Sequence, residues 1–177
     1  MNKKILLIYT GGTIGMIKDK KKNTLIPFNF DELLKAIPEL KSDELDLDNI
    51  STKNPIDSSN MNPDNWVEIA NMIEDKYNFY DGIVVLHGTD TMAYTASALS
   101  FMLENLNKAI ILTGSQIPIG ARRTDAKENL ITAVEIAAGG KVNEVCIYFE
   151  DQLYKGSRTV KVNTEHFEAF ESPNYPI

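Results

Sequence analysis

The chain has 177 residues, 43% of them hydrophobic, enough to bury the core of one domain but not of two. Its net charge of −7 repels phosphate backbones, so no nucleic-acid partner is expected. No apolar stretch approaches a membrane span, and the start, Met1-Asn2-Lys3-Lys4 and a short apolar run, lacks the length and small-residue cleavage site of a signal peptide; the expectation is a cytoplasmic protein with no membrane partner.

Ile5 to Tyr9 reads as a strand covered on both faces, because its apolar run does not alternate. It empties into Thr10-Gly11-Gly12-Thr13-Ile14-Gly15, a small-residue turn that carries hydroxyls. Met16 to Pro27 is polar and lysine-rich and reads as a mobile loop or loose hairpin, with the basic run Lys18 to Lys22 as its solvated tip. Asn29 is placed to cap a short helix carrying Leu33, Leu34 and Ile37, with Asp31 and Glu32 in its first turn and Pro38 at its end. A weak strand is expected around Leu45 to Ile50, then a polar turn from Asn54 to Asn60. Asn62-Pro63-Asp64 is a strong helix start, and Trp66, Ile69, Ala70 and Ile73 follow at helical spacing as core residues.

Ile83 to Leu86 is a second buried strand, emptying into His87-Gly88-Thr89-Asp90-Thr91, and Met92 to Leu103 is a helix. Ala109 to Leu112 is a further strand, followed by Thr113-Gly114-Ser115-Gln116. Asp125 with Glu128 suggests a capping-box start for a helix through Ala138, which Gly139 and Gly140 stop. Val145 to Phe149 is another strand, in which Cys146, the only cysteine, reads as a buried core thiol. Glu168 to Ile177, with Pro173 and Pro176, reads as the beginning of a linker.

The alternation predicts an α/β fold, a three-layer open and mainly parallel sheet with helices on both faces. Ligands of such folds bind beyond the carboxyl ends of the strands. The turns at Thr10 to Gly15, Asp57 to Asn60, His87 to Thr91 and Thr113 to Gln116 should therefore gather at one edge and form one polar pocket.

Several chemistries are poorly supported. Gly11-Gly12-x-x-Gly15 is not the dinucleotide fingerprint, and no Walker A run or G-x-S-x-G elbow occurs. With only two histidines, His87 and His166, a zinc site lacks ligands, and no metal or other cofactor is expected. What remains is hydroxyls, a carboxylate and lysines. A threonine hydroxyl needs a neighbouring base to attack; a lysine oriented by Asp90 can serve, and glycine-turn N–H groups can stabilise an oxyanion. This is equipment for acyl transfer on a small amide or ester. Thr89, Asp90 and Thr91 also suit helix N-caps, and taken alone Thr89-Asp90 is more simply read that way. His87 reads as a satisfied structural histidine that positions its turn, and Ser58 and Ser59 also suit plain turn formation.

Taken together, Tyr9-Thr10-Gly11-Gly12-Thr13-Ile14-Gly15-Met16 and Leu86-His87-Gly88-Thr89-Asp90-Thr91-Met92-Ala93-Tyr94 resemble the motifs of the N-terminal domain of bacterial-type L-asparaginases, closest to the cytoplasmic type I group. Asp57-Ser58-Ser59, Thr113 to Pro118 and Asn143-Glu144-Val145 support the resemblance, which runs through nearly the whole chain. It implies hydrolysis of L-asparagine to L-aspartate and ammonia through an acyl-threonine, with Thr13 as nucleophile. Thr89, Asp90 and Lys161, the last in Gly156-Ser157-Arg158-Thr159-Val160-Lys161, would handle protons; Thr89 and Asp90 would also bind the substrate, Asp90 at its α-amino group. Asp57, Ser58 and Ser59 would grip the amino-acid end. It implies a homo-oligomer, dimer or tetramer, for the full-length protein. Two departures stand out. Leu25 precedes Ile26-Pro27 where the family's lid usually carries a tyrosine. The family continues into a second α/β domain, so residues 1–170 are expected to be the catalytic N-terminal domain and 171–177 the start of an interdomain linker. Related readings are a glutaminase or amidotransferase-type domain, and a non-catalytic amino-acid-binding module.

Overall fold

The computed structural model describes residues 2–18, 25–27, 33, 35, 37–164 and 166–177. A six-stranded sheet forms its centre, built from β1 (Lys3–Tyr9), β4 (Leu45–Ser51), β5 (Gly82–Leu86), β6 (Ile110–Thr113), β7 (Val145–Phe149) and β8 (Gln152–Lys155). The order is β4-β1-β5-β6-β7-β8. Every neighbouring pair is parallel except β7 with β8. Two short strands, β2 (Met16–Lys18) and β3 (Leu25–Pro27), pair antiparallel in register Met16↔Pro27, which is the hairpin alternative expected for that loop. The lysine run from Lys20 to Lys22, Thr24, the helix start at Asn29, and Leu34 lie outside the described residues.

Non-alternating strands are buried because helices cover both faces. Along β1, Leu6 and Ile8 join Ile83, Val85, Ile110 and Leu112 in one apolar cluster with Ile69 and Ile73 of α1 (Pro63–Lys76) and Leu99 of α2 (Met92–Met102). Ile5 and Leu7 point the other way, to Leu33, Ile37 and the Leu130, Ala133 and Val134 face of α3 (Ala126–Ala138). The expected three-layer architecture is thus the observed one. Edge strand β4 differs: only Leu45, Leu47 and Ile50 are partly buried, between exposed Asp46, Asp48 and Asn49, with Ile50 packed on one cluster and the two leucines on the other, which explains the weak apolar signal around Leu45 to Ile50. Cys146 is buried in β7, which pushes its thiol up to about 12. Among the described residues no helix is long and apolar enough to cross a membrane.

Two helix starts show opposite outcomes, the first as expected and the second not. At α1, Asn62 accepts from Asp64 and Asn65 N–H while Asn65 accepts from Asn62 N–H, a complete capping box behind Pro63. At α3 the expected capping box is absent: Asp125 sits in helical conformation and its side chain caps nothing in the helix. Its carboxylate instead accepts from Gln116 N–H at 2.7 Å and Ile117 N–H at 3.0 Å, while the Thr124 hydroxyl takes Ala126 N–H at 3.0 Å. A single carboxylate meets two free N–H groups of the preceding loop and leaves the cap to its neighbour.

The segment from Glu168 is packed where it reads as linker. β10 (Phe170–Glu171) pairs antiparallel with β9 (Val160–Lys161), with Phe170 opposite Lys161. Phe170 is buried, edge-on to Phe149 at 5.0 Å between ring centroids, and its carbonyl accepts from the Tyr154 hydroxyl at 2.9 Å. Phe170→Ala removes this anchor and is expected to cost about 3 kcal/mol, read as a lower urea midpoint; an unchanged midpoint would show that β10 contributes nothing to the domain.

Candidate active site

The carboxyl ends of β1, β4, β5 and β6 deliver the four turns to one edge, and backbone bonds stitch them together. Thr10 N–H and its hydroxyl both donate to Leu86 C=O, at 3.0 and 2.9 Å, so Thr10 is spent on joining two strand ends. Ile56 N–H donates to Thr10 C=O at 2.8 Å and His87 N–H to Thr113 C=O at 2.9 Å.

Thr13 opens a 3₁₀ turn over Thr13–Gly15 and is half-buried. Tyr9 supports that turn, its hydroxyl aimed at the carbonyls of Gly12 and Gly15 at 3.5 and 3.4 Å. Among the described residues the Thr13 hydroxyl has no hydrogen-bond partner. The first and second motifs touch through backbone. Gly12 has φ 85, and a Cβ there would lie 2.4 Å from Gly88 N. A Cβ on Gly88 would lie 2.4 Å from Ser58 Oγ. Gly12→Ala therefore combines left-handed strain with a backbone clash, and is expected to lower stability by about 2–4 kcal/mol. A thermal melt checks this; a melting temperature equal to the parent's would mean that the motifs do not approach this closely.

Thr89 and Asp90 do not cap α2. The N-cap is Thr91, which makes no side-chain cap; its hydroxyl donates to Ser58 C=O at 2.7 Å. Thr89 and Asp90 are instead joined to Lys161 across 72 and 71 residues: the ammonium donates to Thr89 Oγ1 at 2.9 Å and to Asp90 Oδ1 at 2.8 Å. The lysine side chain is 10% exposed and the aspartate 56%. Distant motifs thus make one threonine–lysine–aspartate trio. A cavity of about 700 Å³ opens beside it, lined in part by Asp90, Tyr94, Ser157 and Lys161.

Asp57 accepts from Ser59 N–H at 3.0 Å and Ser59 Oγ at 2.9 Å. The N–H bond, with the hydroxyl's behind it, holds the exposed carboxyl below its usual range. Asp57 and Ser59 are engaged with each other, whereas Ser58 is buried against Gly88. His87 is fully buried, and desolvation lowers it to about 4, so the ring is neutral. Its Nδ1 faces Gly88 C=O at 2.7 Å and its Nε2 faces Thr95 Oγ1 at 2.9 Å. Trp66 Nε1–H donates to the same Thr95 oxygen at 3.0 Å. The carbonyl assigns the proton to Nδ1, so Thr95 donates to Nε2. His87 is satisfied and holds the second motif's turn, as expected from its place in the sequence. The side chain of Gln116, visible in the sequence only as part of a turn, accepts from Thr89 Oγ1 at 3.1 Å. Among the described residues no cluster of three or more His, Cys, Asp or Glu is placed to hold a metal ion.

Fold and site define an α/β domain whose glycine-rich hydroxyl turns meet a threonine–lysine–aspartate trio at the strand carboxyl ends. The family model for the asparaginase N-terminal domain matches residues 4–177, and the chain belongs to that family. It is 47% identical over 175 residues to L-asparaginase 1 of Escherichia coli K12, covering 98% of this chain and 52% of that protein. The crystal structure of L-asparaginase I from Vibrio cholerae superposes with a TM-score of 0.90 at 45% identity, over 99% of this chain and 53% of the other. The structure named "Probable Cytoplasmic L-asparaginase from Campylobacter jejuni" matches at 0.84 and 31% identity, over 97% and 52%. The chain thus spans about half the length of these relatives.

Proposed function

We propose that the chain supplies the catalytic half of an enzyme that hydrolyses L-asparagine to L-aspartate and ammonia. One observation carries the reading: Thr13, its hydroxyl unengaged among the described residues, sits on a turn in backbone contact with the motif that carries Thr89 and Asp90, the two residues to which Lys161 donates. Thr13 Oγ attacks the side-chain amide carbon, ammonia leaves with the proton that the hydroxyl gives up, and water then cleaves the acyl-threonine to release aspartate. Thr89, Lys161 and Asp90 move those protons, and glycine-turn N–H groups meet the developing oxyanion. Asp90, more than half exposed, is open to an α-amino group, and Asp57, Ser58 and Ser59 grip the other end of the amino acid. Similarity to L-asparaginases supports this substrate, and the relative named as a cytoplasmic L-asparaginase supports a cytoplasmic location; a homo-oligomeric full-length protein is what the motif resemblance implies.

The test is ammonia release by the full-length gene product from L-asparagine and, separately, from L-glutamine. Release from asparagine in excess of glutamine is expected. The reverse preference would point to the glutaminase reading, and tight aspartate binding without turnover to a binding module.

A further inference from the structure

We propose that Gln116 is a positioning residue that sets the direction of the hydrogen bonds around Thr89. The inference rests on the asparagine-hydrolase reading only for its kinetic consequence. The side-chain amide has its orientation dictated by chemistry. Gln116 Nε2 faces two main-chain carbonyls, Thr164 C=O at 3.3 Å and His166 C=O at 3.1 Å. Carbonyl oxygens only accept, so the amide nitrogen must lie on that side, and turning the amide over would press oxygen against oxygen. Gln116 Oε1 therefore faces Thr89, and because it too can only accept, Thr89 must donate to it, at 3.1 Å. The lone pairs of Thr89 are left for Lys161, which donates at 2.9 Å. The donors run one way, Lys161 to Thr89 to Gln116.

That order has two effects. A hydroxyl that donates becomes a better acceptor, so Gln116 strengthens the bond by which Thr89 holds the ammonium. The same side chain also ties the second motif to the segment just after Lys161, which fixes lysine and threonine relative to each other. Gln116 is itself held: its N–H donates to Asp125, which also takes Ile117 N–H. Asp125, turned away from its helix, serves this purpose. Gln116 reaches no reacting atom and acts through Thr89.

Two variants of the full-length gene product separate the parts. Gln116→Met removes acceptor and donors; Gln116→Glu keeps an acceptor for Thr89 and loses the donors. Gln116→Met is expected to lower kcat for asparagine about tenfold with KM within about twofold, and Gln116→Glu to recover part of that loss. Parent kcat in Gln116→Met, a proportional change in kcat and KM, or a fall in Gln116→Glu as deep as in Gln116→Met, would overturn the proposal. A second readout needs no activity. In protein with ¹⁵N-labelled glutamine, the Gln116 side-chain amide is the signal lost in either variant, and Gln152, the other glutamine of these 177 residues, is the reference. Thr89→Val should shift the Gln116 signal and leave Gln152 in place. An unmoved Gln116 signal overturns the proposal, whether or not the protein hydrolyses asparagine; a moved signal in a protein that releases no ammonia upholds the geometry and sinks the hydrolase reading.

Discussion

Thr13→Ala is expected to lower kcat for asparagine by about a thousandfold or more, which is the scale of losing a covalent nucleophile, while the melting temperature stays within a few degrees. The two halves of this result belong together. Among the described residues the Thr13 hydroxyl holds no partner, so deleting it breaks no structural bond. The turn it opens is shaped by Gly12 at φ 85 and supported by Tyr9, neither of which the substitution touches. Thr10, three positions earlier in the same motif, is the contrast: its hydroxyl is bonded to Leu86 C=O and is 1% exposed. Removing that hydroxyl is expected to act on stability first, because it leaves a buried strand end short of a donor. Ammonia release unchanged in Thr13→Ala would sink the acyl-threonine mechanism and leave a role for Thr13 in binding only.

The parts of this architecture that could be read from sequence are those where one residue's local chemistry decides the outcome. Non-alternating apolar runs mark β1, β5 and β7 because both faces of a parallel sheet are covered. Asn62-Pro63-Asp64 marks the start of α1 because cap, ring and charge act within a single turn. The β7–β8 hairpin is not legible in the sequence because its turn carries no glycine or asparagine: Glu150 and Asp151 take up φ 43 and φ 50 with ordinary side chains. β9 and β10 are two residues long and owe their existence to Phe170 packing on Phe149, a contact between distant segments. Asp125 failed as a cap for a related reason, since its partners lie in the preceding loop. Sequence patterns therefore placed the turns on one edge, while the resemblance, not any local signal, singled out Lys161 from the chain's other lysines.

Lys161→Met is the second variant with a large expected effect, a fall in kcat of about 10²- to 10⁴-fold, the range for a positioned proton-transfer group. Methionine keeps much of the volume of the lysine stem, whose side chain is only 10% exposed, so the cavity wall is preserved. Losing the ion pair leaves no buried carboxylate unpaired, because Asp90 is 56% exposed and stays hydrated. Thr89 keeps its bond to Gln116. KM should not rise, since an Asp90 freed of its lysine remains available to a substrate α-amino group. Lys161→Arg then decides what the lysine does. Arginine restores the positive charge beside Asp90 but stays protonated at any working pH and presents a planar fork in place of a single ammonium. If Lys161 moves protons, Lys161→Arg should remain within about tenfold of Lys161→Met. Recovery of most of the parent rate in Lys161→Arg would mean that the residue acts as a fixed cation that orients Asp90 and Thr89, and the proton-transfer role would have to pass to another group at the strand ends.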